Sequence, residues 1–232
     1  MTQAMSEVPL IQAPEDDRDH ARLRRIGRKV RERLSALPEA YRIPSDKAEL
    51  FAIGQFFSPD ECGRLMAMID AVAKPSRAFD AAYESGYRTS YSGDVDPHDP
   101  FVRKIQRRLD DLLGIDPSYG ETIQGQRYLA GQQFQAHCDW FPGGTDYWEQ
   151  EKERGGQRSI TAMAYLNPVE EGGATTFPRL GISVEPKPGA LLIWNNADPE
   201  GRPNPWTIHS GDPVVKGVKY IITKWYRARR WY

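Results

Sequence analysis

The first residues in this chain whose types and spacing could do chemistry are His137, Asp139 and His209. His137 and Asp139 sit in the run Gln133 to Phe141, which alternates. Gln133, Gln135, His137 and Asp139 fall on one face, and Phe134, Ala136, Cys138 and Trp140 on the other. A period of two is the strand signature, so an imidazole and a carboxylate two residues apart point the same way from an extended chain. That makes half a metal site. His209 closes the run Trp206-Thr207-Ile208 in the last strand-forming part of the sequence. In a jelly-roll the late strands return beside the early ones, which would bring His209 to the other two. On this reading the polar face, Gln133 and Gln135 included, lines a cavity, while Phe134 and Trp140 pack against supporting structure.

Two imidazoles and one carboxylate on one face leave about three open positions on an octahedral ion, the arrangement of non-haem Fe(II) oxygenases. A hydrolase with zinc activating a water could use the same three side chains. Lys219 bears on the choice. The segment Val218 to Tyr226 places Lys219, Ile221, Thr223 and Trp225 on one strand face, so the ammonium keeps apolar and aromatic company. There an unpaired cation is costly, and an anionic ligand beside the metal would answer it. A dicarboxylate held by the metal at one end and by the lysine at the other satisfies both. The hydrolase leaves Lys219 unexplained and has no obvious glutamate base. Cys138, between two candidate ligands, reads as a small buried hydrophobe, and His20 and His98 read as exposed.

The elements that must position these groups are legible in outline. The chain has 232 residues, 39% hydrophobic and 27% charged, enough for one β domain with a real core. Its 18 prolines and 20 glycines fall between short apolar runs, favouring a loop-rich β architecture. With 31 basic and 32 acidic residues there is no global electrostatic case for nucleic acid or membrane. No apolar run approaches the roughly 18 residues of a membrane span. Two cysteines make no disulfide framework, and the N-terminus lacks the features of a secretory signal, so a cytoplasmic setting is expected.

Asp17 to Ala36 predicts a helix with Leu23, Ile26, Val30 and Leu34 as its apolar stripe, capped by Asp16 or Asp17. It carries a basic cluster: Arg22, Arg24, Arg25, Arg28, Lys29, Arg31 and Arg33. No aromatic interleaves those charges, which disfavours base stacking and favours a solvated face whose apolar stripe packs on the main domain. Leu50 to Phe57 reads as a strand; Ser58-Pro59-Asp60-Glu61 opens a helix to Ala73 with a capping box. Residues 75 to 100 read as irregular, and Phe101 to Leu113 as a second amphipathic helix. Strands are expected over Thr122–Leu129, Gln133–Phe141, Arg158–Leu166, Ala174–Phe177, Ile182–Val184, Ala190–Asn195, Trp206–Ser210 and Val218–Tyr226. The predicted fold is therefore mainly β with flanking helices, a double-stranded β-helix (jelly-roll) barrel buttressed by N-terminal helices. Residues 1–45 are expected to form a polar tail and basic helix, and 46–232 the barrel domain.

His137-Cys138-Asp139, His209 and Lys219 together resemble the prolyl 4-hydroxylase branch of the 2-oxoglutarate- and Fe(II)-dependent dioxygenases, in its bacterial-type, single-domain form. The likeness extends through Arg127-Tyr128 to Trp140, Arg158 to Pro178, Leu192 to Trp194 and His209 to Val214, then Gly217 and Lys219, covering roughly residues 48 to 228. It implies that His137, Asp139 and His209 bind Fe(II) and that Lys219 pairs with the distal carboxylate of 2-oxoglutarate. Tyr128 and Thr175 match positions that hold the cosubstrate, and Arg158 and Trp225 match positions beside the substrate. It further implies O2 as co-reactant, ascorbate as reductant, and succinate and CO2 as coproducts. The expected substrate is a prolyl residue in a peptide or protein, with a free amino acid or another small molecule as the alternative. A non-catalytic binding module on the same fold is the remaining rival. Asp139 stands where related halogenating enzymes carry a small residue, which favours hydroxylation. Tyr220, where animal enzymes carry Trp, and the charged stretch Pro142 to Gln157 depart from the pattern. Residues 76–100 and 142–157 are the expected lids.

Overall fold

The computed structural model describes residues 19–76 and 86–232. In chain order they form α1 (His20–Ser35), β1 (Ala40–Ile43), β2 (Leu50–Ile53), α2 (Pro59–Val72), β3 (Lys74–Pro75), β4 (Tyr91–Asp94) and α3 (Pro100–Leu113). There follow β5 (Gln124–Tyr128), β6 (Phe134–His137), α4 (Asp146–Glu153), β7 (Arg158–Tyr165), β8 (Glu171–Gly172), β9 (Thr175–Phe177) and β10 (Ile182–Val184). The chain ends in β11 (Leu191–Asn195), β12 (His209–Gly211), β13 (Val214–Lys216) and β14 (Lys219–Arg227).

Two antiparallel sheets face each other, as the alternating strands require. The larger has the order β1-β2-β11-β7-β14-β5-β4-β3 and the smaller β10-β9-β12-β6. The central strands β11 and β7 are largely apolar on both faces because each face is covered. Ile160, Ala162, Ala164, Ile193, Ile222 and Tyr226 turn outward into a core shared with α1, α2 and α3. Met163, Tyr165, Leu192, Trp194 and Ile221 turn inward and meet Phe177, Phe134, Ile182 and Val184 of the smaller sheet. This is the expected jelly-roll with helical buttressing.

The helices pack for identifiable reasons. In α2, Ser58 accepts from the Glu61 amide and Glu61 bonds back to the Ser58 amide, the expected capping box. Helix α3 starts on the Asp99 side chain and ends at Gly114 in the left-handed conformation. Gly125 on β5 lets α2 approach, because a Cβ there would overlap Ile69. In α1, Leu23, Val30 and Leu34 are buried, and Val30 and Leu34 join the same core as the sheet and the other helices. The basic helix is thus bonded into the folded body, with β1 behind it pairing to β2.

Several boundaries differ from expectation. The capping residues Asp16 and Asp17 lie outside the described residues; α1 begins at His20, and Asp19 makes no side-chain cap. Strand β2 stops at Ile53, where the chain turns at Gln55 with φ 53°. Residues 205–207 are a 3-10 turn rather than strand, and strand resumes at His209. β1, β3, β4, β8, β13 and α4 have no counterpart among the expected elements. The first expected lid, residues 76–100, includes 77–85, outside the described residues; β4 and Ser90 anchor its described part. The second, residues 142–157, contains α4, whose Trp148 and Glu151 are buried. Glu151 pairs with the buried Arg227, which also donates to the Gly156 carbonyl at 2.7 Å. That segment is fastened to β14. No described helix is long and apolar enough to cross a membrane.

Candidate metal centre and active site

Strand β12 brings His209 directly opposite His137 on β6. The next pair in this ladder is Gly211 with Phe134, so between the two pairs one residue of β12, Ser210, is matched by two of β6, Gln135 and Ala136. This bulge re-aims the end of β6. It puts Phe134 on the same side as His137, and the two rings stack at 3.6 Å between centroids. The expected strand Gln133 to Phe141 therefore ends at His137. Gln135 faces outward, where its amide reaches the Gly86 carbonyl at 3.3 Å, and Phe134 takes the inner position assigned to the glutamines. Trp140 does pack away from the site, against Leu23, Ala197 and Ala228.

Asp139 lies just past the end of β6, and its orientation comes from β7. The Thr161 hydroxyl donates to Oδ2 of Asp139 at 2.7 Å and in turn accepts from the Asn196 amide at 2.9 Å. Asp139 Oδ2 then stands 3.9 Å from His209 Nε2, and one ligand atom from each of His137, Asp139 and His209 falls within 4.8 Å of the others. Both imidazoles are fixed in one tautomer. His137 Nδ1 is 2.8 Å from the Gln135 carbonyl and His209 Nδ1 is 2.9 Å from the Thr207 carbonyl. A carbonyl only accepts, so each Nδ1 carries the proton and each Nε2 lone pair is free for a metal. Burial, reinforced by the neighbouring His209, pushes the His137 pKa down to about 3. Burial raises the Asp139 carboxyl, but His209, His137, Arg158 and the Thr161 hydroxyl outweigh it and hold it below the usual range. The donor set is neutral nitrogen, neutral nitrogen and carboxylate, suited to a divalent ion of the first transition row.

Lys219, Ile221, Thr223 and Trp225 all line the cavity, as the alternation of β14 predicts. Lys219 is 1% exposed. Its ammonium lies over the rings of Tyr128 (5.3 Å) and Tyr165 (5.6 Å), and it makes no ion pair or hydrogen bond among the described residues. Burial lowers its pKa to about 8, with Asp212 and Glu185 opposing the shift from a distance. A buried cation without a partner is a strong indication of an anionic ligand.

Tyr128 and Thr175 also face this cavity. The Tyr128 hydroxyl donates to Gln126 at 2.7 Å, and Gln126 donates to Thr223 at 3.2 Å. Trp225 and Trp194 line the cavity too, and each indole N–H is buried with no partner among the described residues. Arg158 does not line the cavity; it stands behind Trp225, its guanidinium 3.9 Å from that ring and held by Glu121 at 2.7 and 2.8 Å. Iron and a dicarboxylate fit these residues: three ligands, one unanswered ammonium and free donors on the wall.

Four contributors were not anticipated. Phe134 was placed on the wrong face because no periodicity reveals a bulge. Thr161 and Asn196 are polar residues inside or just after nearly apolar strands, the one sequence signal that could have marked them. Arg88 faces the cavity from the segment before β4, stacked on Phe134 at 4.7 Å; nothing in its irregular surroundings distinguished it.

Residues 123–227 match the 2OG-Fe(II) oxygenase superfamily. The chain is similar to "Probable prolyl 4-hydroxylase 8" of Arabidopsis thaliana, 31% identical over 206 residues, covering 78% of this chain and 69% of the plant protein. It is 38% identical over 145 residues to "Prolyl 4-hydroxylase subunit alpha-1" of Gallus gallus, covering 62% of this chain but only 28% of that subunit. Among solved structures, the viral collagen prolyl hydroxylase of Paramecium Bursaria Chlorella virus-1, in complex with 2OG, aligns with TM-score 0.58 and 27% identity. That alignment covers 76% of this chain and 94% of the viral one.

Proposed function

The chain belongs to the 2OG-Fe(II) oxygenase superfamily, with prolyl 4-hydroxylases among its relatives, and from that premise we propose that it hydroxylates a prolyl residue in a peptide or protein. The observation that carries the reading is Lys219, a buried ammonium with no counter-charge in the same cavity as His137, Asp139 and His209. A hydrolase would leave that charge unanswered, whereas a dicarboxylate spanning metal and lysine neutralises it.

His137, Asp139 and His209 would hold Fe(II), and Lys219 the distal carboxylate of 2-oxoglutarate. Bound iron and cosubstrate supply the O2 chemistry, converting 2-oxoglutarate to succinate and CO2 as a C–H bond becomes C–OH. The protein's own part is to position. Thr161 and Asn196 fix the Asp139 carboxylate. Tyr128, Gln126 and Thr223 form a hydrogen-bonded wall beside the cosubstrate, and Thr175 completes it. Trp225, braced by Arg158, offers the cavity wall an aromatic ring and an N–H without a partner among the described residues, suited to a proline ring and its neighbouring peptide carbonyl. The prolyl 4-hydroxylase relatives support a prolyl substrate over a free amino acid.

The test incubates the enzyme with Fe(II), 2-oxoglutarate, O2 and a panel of proline-containing peptides. Succinate release matched by a one-oxygen mass gain on proline is the expected result. His209→Ala should lose both Fe(II) binding and succinate formation; turnover with zinc alone, or succinate unchanged in His209→Ala, would sink the assignment.

A further inference from the structure

A second site lies on α1, away from the metal cavity. Arg24, Arg25, Arg28 and Arg31 line a cleft of about 550 Å³ whose opposite wall is Asn195 and Asp198, from the end of β11 and the loop after it. The other basic residues of the helix are already used. Lys29 donates to the Gly114 carbonyl, Arg33 to the carbonyls of Leu112 and Asp111, and Arg22 pairs with Asp19. Arg31 is neutralised by Glu49. Arg24, Arg25 and Arg28 are exposed and make no hydrogen bond or ion pair among the described residues.

The acidic groups nearby do not answer them. Glu49 is taken by Arg31 and by the Asn195 amide at 3.1 Å. Asp198 Oδ1 accepts from the amides of Glu200 (3.0 Å) and Arg202 (2.8 Å), closing its own loop. Arg24 and Arg28 are four residues apart, and Arg25 and Arg28 three, spacings at which like charges repel on a helix. Against the one carboxylate of the cleft left without an ion-pair partner among the described residues, Asp198, three such guanidiniums make a local excess of positive charge that an anion would relieve.

We propose that this cleft binds a small oligophosphate ligand, such as the phosphate chain of a nucleoside di- or triphosphate. Guanidiniums present planar forks that match phosphate oxygens two at a time. Arg24 to Arg28 span about 6 Å of helix at 1.5 Å per residue, the length of two or three linked phosphates rather than of a nucleic-acid tract. The cleft volume is that of a small-molecule site, and no aromatic side chain lines it for stacking a strand of bases.

The test is calorimetric titration of sodium tripolyphosphate into the metal-free full chain at low and high sodium chloride. Saturable one-to-one binding is expected, weakening at least tenfold at high salt. The triple variant Arg24→Gln, Arg25→Gln, Arg28→Gln should lose at least tenfold in affinity while keeping its circular dichroism and thermal midpoint, since all three side chains are exposed. Lys219→Ala should bind as the parent does. The proposal falls if the parent does not bind at low salt, if the triple variant binds equally well, or if Lys219→Ala removes binding. It also falls if a single-stranded oligonucleotide binds the same arginines more tightly. Binding that appears only after deletion of residues 2–18 would make the chain's own Glu15, Asp16 and Asp17 the occupant and overturn it too.

Discussion

Lys219 shows most directly that single residues here serve binding at the expense of stability. Its pKa is about 8 in the folded protein against an ordinary value of 10.5. Between those values the unfolded chain holds the proton that the folded chain releases, so stability should rise with pH from about 8 to about 10.5 and be lowest and flat below 8. A shift of this size corresponds to about 3 kcal/mol. Lys219→Met should therefore unfold at higher denaturant concentration than the parent, by up to that amount, while losing affinity for 2-oxoglutarate. A destabilised variant would refute the reading. In the parent, the KM for 2-oxoglutarate should climb as pH passes about 8 and the ammonium is lost. Thr161→Val removes the hydroxyl that orients Asp139 and should weaken Fe(II) binding by about 10–100-fold with little loss of fold, measured by metal titration under argon. His137, Asp139 and His209 were legible in the sequence because their types are conspicuous, and Lys219 because the alternation of β14 fixes its face. Thr161, Asn196 and Arg88 were not, since their partners are distant in the chain.

At the scale of elements, the most connected feature is the buried chain of charges behind the site. Glu121 receives both Arg158 and Arg227, and Arg227 also reaches Glu151 on α4. Burial would raise the Glu121 carboxyl, but the two arginines more than reverse it and hold it below its ordinary value. Its contribution to stability is thus fully present above the ordinary carboxylate range and is lost only as pH falls through the depressed value. Glu121→Gln leaves Arg158 without its carboxylate and takes one of two from the buried Arg227, and should cost about 3–5 kcal/mol, read by chemical denaturation. It should also free α4, read as faster amide exchange over residues 146–153. α4 escaped sequence reading because eight residues give little periodicity; its helix is held by Glu151 and Trp148, through contacts remote in sequence. The bulge between β6 and β12 was hidden for a related reason. An extra residue in a ladder is a property of two strands together, and neither strand alone announces it.

On the scale of the whole molecule, α1 belongs to the barrel's support. Leu34 is fully buried in the core shared by α2, α3 and the larger sheet, and Leu23 packs on Trp140, next to the candidate ligand Asp139. Leu34→Ala should cost about 2–5 kcal/mol, and a chain beginning after Ser35 should melt well below one lacking only residues 1–18. Little change in either would refute this view of α1. The general fold was legible because its strands are short, apolar and evenly punctuated, and so was the packing of α1 on the main domain; which residues receive its stripe was not, because a run of leucines and valines does not name its partners. The solitary ammonium of Lys219 has a last consequence. A ligand that binds only the folded form at a hundred times its dissociation constant adds about 2.7 kcal/mol, and here it also quenches a charge the fold endures alone. Resistance to proteolysis should therefore climb with 2-oxoglutarate even in anaerobic, non-turnover conditions. Cosubstrate supply would then set how many copies of the enzyme survive as well as how fast each one works.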